Sequence, residues 1–343
     1  MTNRKQLLRY AKEQQATDIH ICSGSPMLYR IGRKLVPITK EKLTAEQAKD
    51  LTLEFLTEEQ KLELEEKLDY DLMLSEEDVG RYRINVGYFN GTIGAIIRVL
   101  PQEPRTTEEL FLPEVVAELA NRRKGLVLIT GSTSQGKTTT LSAMINEINL
   151  KEKKHIITIE DPIEYVHTNK LGMVRQREVG RDTKTFYSGL RAALRQDPDV
   201  IAIGEMRDYE TIQIALAAAE TGILVLSTLH VISIDKVIER LLSYAPVGSE
   251  NQMRFLLAES LQGIIHQELI PTLDGGQRAA CEVLVVTNAA RNIIRRNNGF
   301  FLRSVMETGK KYGMQTMSEA VGQFLEEKII SEDVAKRILA SYQ

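Results

Sequence analysis

The sequence predicts an α/β protein whose second half is built on a mostly parallel sheet. Three observations predict it. Short apolar runs recur at Leu126–Ile129, Ile156–Ile159, Val200–Ile203, Ile223–Leu226 and Cys281–Val286, with helical patterns between several of them. Strands alternating with helices argue a parallel sheet covered on both faces. The first run is followed by Gly131-Ser-Thr-Ser-Gln-Gly-Lys-Thr138 and then by a helical pattern over Lys137–Asn149. The spacing G-x-x-x-x-G-K-[ST] between strand and helix is that of a phosphate-binding loop. Finally, 343 residues suffice for two units, each with its own core.

Residues 1–100 read as one α/β unit. Asn3–Gln15 is a short polar helix and Asp18-Ile-His-Ile21 alternates like a strand. Ser23–Pro26 is a turn, after which Met27–Val36 suggests a hairpin broken at Gly32. Thr44–Leu56 and Thr57–Leu68 are helical, each opening on a threonine with glutamine three residues later, the capping-box signature. Arg81–Val86 and Ile93–Leu100 are two strands around Asn90-Gly91. Pro101–Pro104 is the linker signal, so that residues 101–120 are read as a linker and a leading helix (Glu114–Ala120). Residues 121–343 form the second unit, with helices at Thr185–Gln196, Tyr209–Thr221, Ser318–Glu327 and Ser331–Ala340.

Composition narrows the function classes. Lys plus Arg is 44 against Asp plus Glu 47, so nucleic-acid binding would need a local patch rather than bulk charge. Cys22 and Cys281 stand far apart, suggest neither a disulfide framework nor a thiolate zinc site, and read as small buried hydrophobes. The first residues show no apolar signal segment, and Ile212–Leu229 is broken by Gln213, Glu220, Thr221 and Gly222. A cytoplasmic protein is expected, and any membrane role would be peripheral.

The phosphate loop assigns nucleotide binding to Gly131, Ser132, Thr133, Ser134, Gln135, Gly136, Lys137, Thr138 and Thr139. Gly131 and Gly136 permit backbone angles that turn successive N–H groups onto a phosphate, and the helix dipole adds to them. Lys137 would reach the β and γ phosphates and the Thr138 hydroxyl would hold Mg²⁺. Two further runs end in carboxylates, as catalytic strands of open α/β sheets do. Glu205 follows Val200–Ile203 and is placed to orient or deprotonate a water; the alternative is a solvent-exposed loop glutamate. Glu160, Asp161 and Glu164 follow Ile156–Ile159 and can bind Mg²⁺ through water, or merely cap and pair with arginines. His230 ends Ser227-Thr-Leu-His230, either sensing the γ-phosphate or serving as a structural residue.

The runs TIEDPIEYVH, ALRQDPDVIAIGEMRDYETI and AAETGILVLSTLH resemble the Asp box, Walker B box and His box of the secretion ATPases. Flanks from Ala16-Thr-Asp-Ile-His20 to Thr308–Met317 extend the resemblance over nearly the whole chain, on the side of the pilus retraction motors. The resemblance implies a homohexameric ATPase ring with a PAS-like N-terminal domain and a RecA-like C-terminal domain. It implies ATP between them and an inner-membrane pilus platform protein as partner, with no nucleic acid. Arg83 and Arg98 match the family's N-terminal arginines that complete the site, although strand-borne arginines also simply solvate a sheet face. Absence of the tetracysteine site of the extension motors favours retraction; pilus assembly, secretion, a slowly hydrolysing scaffold and a nucleic-acid translocase are the alternatives.

The chain departs from the family in places. Ser132, Ser134 and Gln135 stand where Pro, Gly and Ser are usual, and a left-handed Ser134 costs about 1–2 kcal/mol unless a hydrogen bond compensates. Ile223 replaces a histidine, and Val231-Ile232 replace hydroxyl-bearing residues, so slower hydrolysis is expected. Ala289–Arg295 resembles the family's AIRNLIRE segment but carries Ala290, with Arg296 after it in place of the glutamate.

Overall fold

A computed structural model describes residues 4–32, 34–76, 79–100 and 103–342. The chain separates into two compact units, Met1–Gln102 and Glu103–Gln343. The predicted helix start at Asn3 and the first half of the Pro101–Pro104 linker lie outside the described residues.

The N-terminal unit runs α1 (Arg4–Glu13), β1 (Asp18–Ile21), β2 (Leu28–Ile31), β3 (Lys34–Pro37), α2 (Ala45–Leu53), α3 (Glu58–Lys67), β4 (Asp69–Glu76), β5 (Gly80–Phe89) and β6 (Thr92–Leu100). The strands form one antiparallel sheet in the order β3-β2-β1-β6-β5-β4. Alternating burial along β5 gives it one core face, onto which α1 brings Leu7, Leu8 and Ala11. Two buried tyrosines fasten that helix: the Tyr29 hydroxyl donates to the Leu7 carbonyl at 2.8 Å and Tyr82 to that of Leu8 at 3.2 Å. Asn90 and Gly91, at φ 52° and 77°, supply the two left-handed residues that a tight β5–β6 hairpin requires. The capping boxes form as expected at Thr44/Gln47 and Thr57/Gln60. Strand β4 was not anticipated; its alternation in Tyr70, Leu72 and Leu74 is masked by Asp69 and Asp71 at its start and by the apolar Met73 between the leucines. Cys22 is only half-buried, against expectation, while Cys281 is buried.

The C-terminal unit continues with α4 (Glu114–Ala120), β7 (Gly125–Thr130), α5 (Lys137–Lys151), β8 (His155–Glu160), β9 (Met173–Glu178), α6 (Phe186–Ala193), β10 (Val200–Ile203), α7 (Tyr209–Glu220), β11 (Leu224–Leu229), α8 (Asp235–Leu242), α9 (Glu250–Ser260), β12 (Leu261–Pro271), β13 (Gln277–Val285), α10 (Asn288–Arg295), α11 (Leu302–Glu307), α12 (Met317–Glu326) and α13 (Glu332–Leu339). Its sheet has the order β13-β12-β7-β11-β10-β8-β9, with every neighbouring pair parallel except β12–β13. The mostly parallel sheet is therefore as the sequence predicts, but β9 and β12 are additions to it. Every residue of β7, β10 and β11 is buried, as strands covered on both faces must be. A separate small core joins α12 and α13 to Ile270 and Ala280 at the far ends of β12 and β13. Among the described residues no helix is long and apolar enough to cross a membrane.

The cap at Thr57 is testable in isolation from the second unit. Thr57→Ala should cost about 1 kcal/mol of α3 stability. Hydrogen exchange should quicken at the first-turn amides of α3, Gln60 above all, and stay unchanged in α5. Unaltered exchange at Gln60 would show that the cap does not hold this helix.

Candidate phosphate-binding site

The loop between β7 and α5 is held open by three backbone angles. Gly131 and Gly136 adopt φ 149° and 80°, and Ser134 is left-handed at φ 63°. A Cβ on Gly131 would lie 2.6 Å from the Gln267 carbonyl oxygen, so only glycine lets the loop approach β12 this closely. The strain at Ser134 is met by its neighbour. The Gln135 side-chain oxygen accepts from the Leu269 N–H at 2.6 Å, and its backbone carbonyl accepts from Gln267 Nε2 at 2.6 Å. Gly136 begins α5 with no side-chain cap, which leaves the first-turn N–H groups for an anion.

Lys137 sits 6 % exposed at the start of α5. Its ammonium donates to the carbonyls of Gly131 at 2.9 Å and Ser132 at 2.7 Å and lies 3.3 Å from His230 Nδ1. Burial lowers its pKa, with the charge of Glu205 opposing the shift. His230 Nε2 is 3.7 Å from a Glu205 carboxylate oxygen. The His230 pKa is lowered by burial first and then by Lys137, again against Glu205, so the imidazole accepts from the ammonium through Nδ1. The Thr228 hydroxyl donates to the Gly204 carbonyl at 2.6 Å, tying the end of β11 to the turn that carries Glu205. The structure thus brings Lys137, Glu205 and His230 together from three chain segments. It adds Arg207, which pairs with Glu205 and which sequence reasoning missed, although it stands only two residues on in the same turn.

The carboxylates after β8 are placed differently. Glu160 accepts from the Thr158 hydroxyl at 2.5 Å and from Gln176 Nε2 at 2.9 Å. Glu164 lies in a loop that two contacts just after it pin to α5. The Tyr165 and Thr139 hydroxyls are 2.9 Å apart, and His167 Nε2 is 3.2 Å from the Ser142 hydroxyl. Burial holds His167 neutral, with its pKa down at about 4. Thr138 is half-buried beside Lys137. Among the described residues no three His, Cys, Asp or Glu side chains form a ready-made metal cage. Next to Gly136, Thr139 and Thr140 opens a cavity of about 590 Å³, bordered by Leu269 and by Arg278, whose guanidinium lies 3.9 Å from the centre of the Phe111 ring.

Arg83 and Arg98 belong to the N-terminal unit and face each other across β5 and β6. Arg83 pairs with Asp71 at 3.5 Å and Arg98 with Asp18 at 3.2 Å, beside a depression of about 260 Å³. Both are thus half-exposed cations on a sheet face, each with one carboxylate. Of the residues that depart from the family, Ile223 packs on the main core and Ile232 is exposed.

The family described as "Type II/IV secretion system protein" matches residues 98–299. The type IV pilus retraction ATPase PilT of Pseudomonas aeruginosa is 40% identical over 331 residues, 96% of each chain. A twitching motility protein of Neisseria gonorrhoeae is 38% identical, over 96% of this chain and 89% of its own length. In structure, the pilus retraction motor PilT with bound ADP superposes with a TM-score of 0.87 at 42% identity, covering 96% of this chain and 95% of the other.

The electrostatics of the cluster yield opposite-signed tests. Lys137→Met should raise the pKa of His230 by removing the neighbouring cation, whereas Glu205→Gln should lower it further. Imidazole chemical shifts followed through a pH titration report both; shifts in the same direction would contradict the geometry.

Proposed function

This chain belongs to the type II/IV secretion system protein family, and from that membership we propose that it is an ATP-driven motor that retracts type IV pili. The observation that carries the chemistry is the meeting of Lys137, Glu205 and His230 beneath the uncapped start of α5. In this reading the N-terminal unit is PAS-like and the C-terminal unit RecA-like.

The roles follow from charge and position. The N–H groups from Gly131 to Thr139 receive the phosphates, which take the Lys137 ammonium from the carbonyls of Gly131 and Ser132. The groove of about 590 Å³ beside Thr139 and Thr140 has room for the nucleoside. Glu205 orients the attacking water and accepts its proton, and Arg207 and His230 hold the carboxylate in place. His230, whose pKa is lowered by partial desolvation and by the neighbouring Lys137, would sense the γ-phosphate. The Thr138 hydroxyl and the carboxylates of Glu160 and Glu164 are hard oxygen donors that suit Mg²⁺, an ion that keeps several waters and takes phosphate oxygens. Bound there, Mg²⁺ would offset phosphate charge. Arg83 and Arg98 exchange their carboxylate partners for phosphate as the motor closes, which couples movement to hydrolysis.

The working assembly is a homohexamer at the cytoplasmic face of the inner membrane, acting on a pilus platform protein. A second reading, a slowly hydrolysing scaffold, is favoured by Ile223, Val231 and Ile232 in place of the family's polar residues. Turnover separates the two.

Lys137→Ala should abolish ATP hydrolysis. Glu205→Gln should keep nucleotide binding and lower kcat by about 10² or more, the scale of lost general-base assistance. Near-normal turnover in Glu205→Gln would move the base to Glu164 or Glu160. For the direction of work, cells lacking the gene should keep or gain surface pili and lose twitching movement, and the Lys137→Ala allele should behave alike. Bald cells, restored by the wild-type gene, would make this an assembly motor instead.

A further inference from the structure

Behind the phosphate loop, a line of side chains joins the end of β7 to the last turn of the chain. The Thr130 hydroxyl lies 3.1 Å from His266 Nδ1, His266 Nε2 lies 3.0 Å from the Tyr342 hydroxyl, and that hydroxyl lies 3.2 Å from Glu268 Oε2. The directions follow from the proton inventory. The Tyr342 hydroxyl donates to Glu268 Oε2, so His266 Nε2–H donates to the Tyr342 oxygen and Nδ1 accepts from Thr130. Thr130 and His266 are both buried, at 0 % and 3 % exposure. The line needs a neutral imidazole, which burial supplies by holding the His266 pKa at about 4.

Tyr342 is anchored independently of this line. Arg303 donates to its backbone carbonyl at 2.9 Å, and the small core of α12 and α13 carries the last turn to β12. At the other end, Thr130 immediately precedes Gly131, whose carbonyl holds the Lys137 ammonium. Removing the Tyr342 hydroxyl would leave His266 Nε2–H buried without its acceptor. The imidazole would then gain by turning or changing tautomer, and Thr130 would lose its partner.

We propose that His266 and Tyr342 are positioning residues of the nucleotide site, through which the C-terminal turn holds the entrance to the phosphate loop and sets nucleotide affinity. The proposal rests on reading that loop as the ATP site.

The test is ADP affinity, measured calorimetrically on the full chain with Mg²⁺ present, for the wild type, Tyr342→Phe, Thr130→Val and the double variant. Ile338→Val, in the small core and outside the line, serves as the packing control. Tyr342→Phe should weaken ADP about threefold to tenfold, the span of one lost hydrogen bond. Thr130→Val should do the same. The double variant should be no weaker than the worse single one, because both break the same connection although the two residues do not touch. Ile338→Val should lower the melting temperature and leave ADP affinity unchanged. Wild-type affinity in Tyr342→Phe, additive losses in the double variant, or an equal loss in Ile338→Val would each overturn the proposal. A wild-type chain that does not bind ADP would overturn the ATP-site reading, and the proposal with it.

Discussion

An anion site made from backbone N–H groups demands conformations that most residues resist. The loop from Gly131 to Gly136 must turn successive amides the same way, which places Gly136 and the non-glycine Ser134 in left-handed geometry. For Ser134 that costs about 1–2 kcal/mol, and the loop has to be held there by something outside itself. Strand β12 does this. Gln267 and Leu269 grip the backbone and side chain of Gln135, while Gly131 lies so close to the Gln267 carbonyl that no Cβ fits. Two departures from the family pattern, Ser134 and Gln135, thus read as one adjustment: the side chain of the second adds a hydrogen bond from the Leu269 N–H beside the strained first.

The chemistry gathered around this loop follows from where parallel strands end. β7, β10 and β11 are neighbours in the sheet, so Lys137, Glu205 and His230 meet although they are far apart in sequence. Desolvation lowers the pKa of both Lys137 and His230, and the ammonium donates to His230 Nδ1 at 3.3 Å.

What the sequence makes legible is what is buried on both faces. β8, β10 and β11 are apolar runs, and the phosphate loop announces itself through glycine spacing. β12 hides because it carries His266, Gln267 and Glu268 in its middle, the first two buried and the third half-buried, all polar because they serve the loop and the last turn. β9, with Arg175, Gln176, Arg177 and Glu178, is hidden as an edge strand; Gln176 and Glu178 hold the neighbouring loop by accepting from His167 N–H and Ile163 N–H. Arg207 was missed because pairing with Glu205 is a matter of turn geometry, which no periodicity encodes. Polar residues with structural tasks inside a sheet are the general reason for these gaps.

The dependence of the loop on β12 also orders events during synthesis. The ribosome releases Gly131–Thr138 well before Leu261–Pro271, and between them come β8 through α9. Until β12 inserts beside β7, Gln135 lacks both of its partners and Ser134 has no reason to stay left-handed. A nascent chain that has completed β11 already holds Lys137, Glu205 and His230, yet it has no framed loop to present to a nucleotide. Strand order alone therefore delivers the strand that frames the loop after the three residues gathered around it.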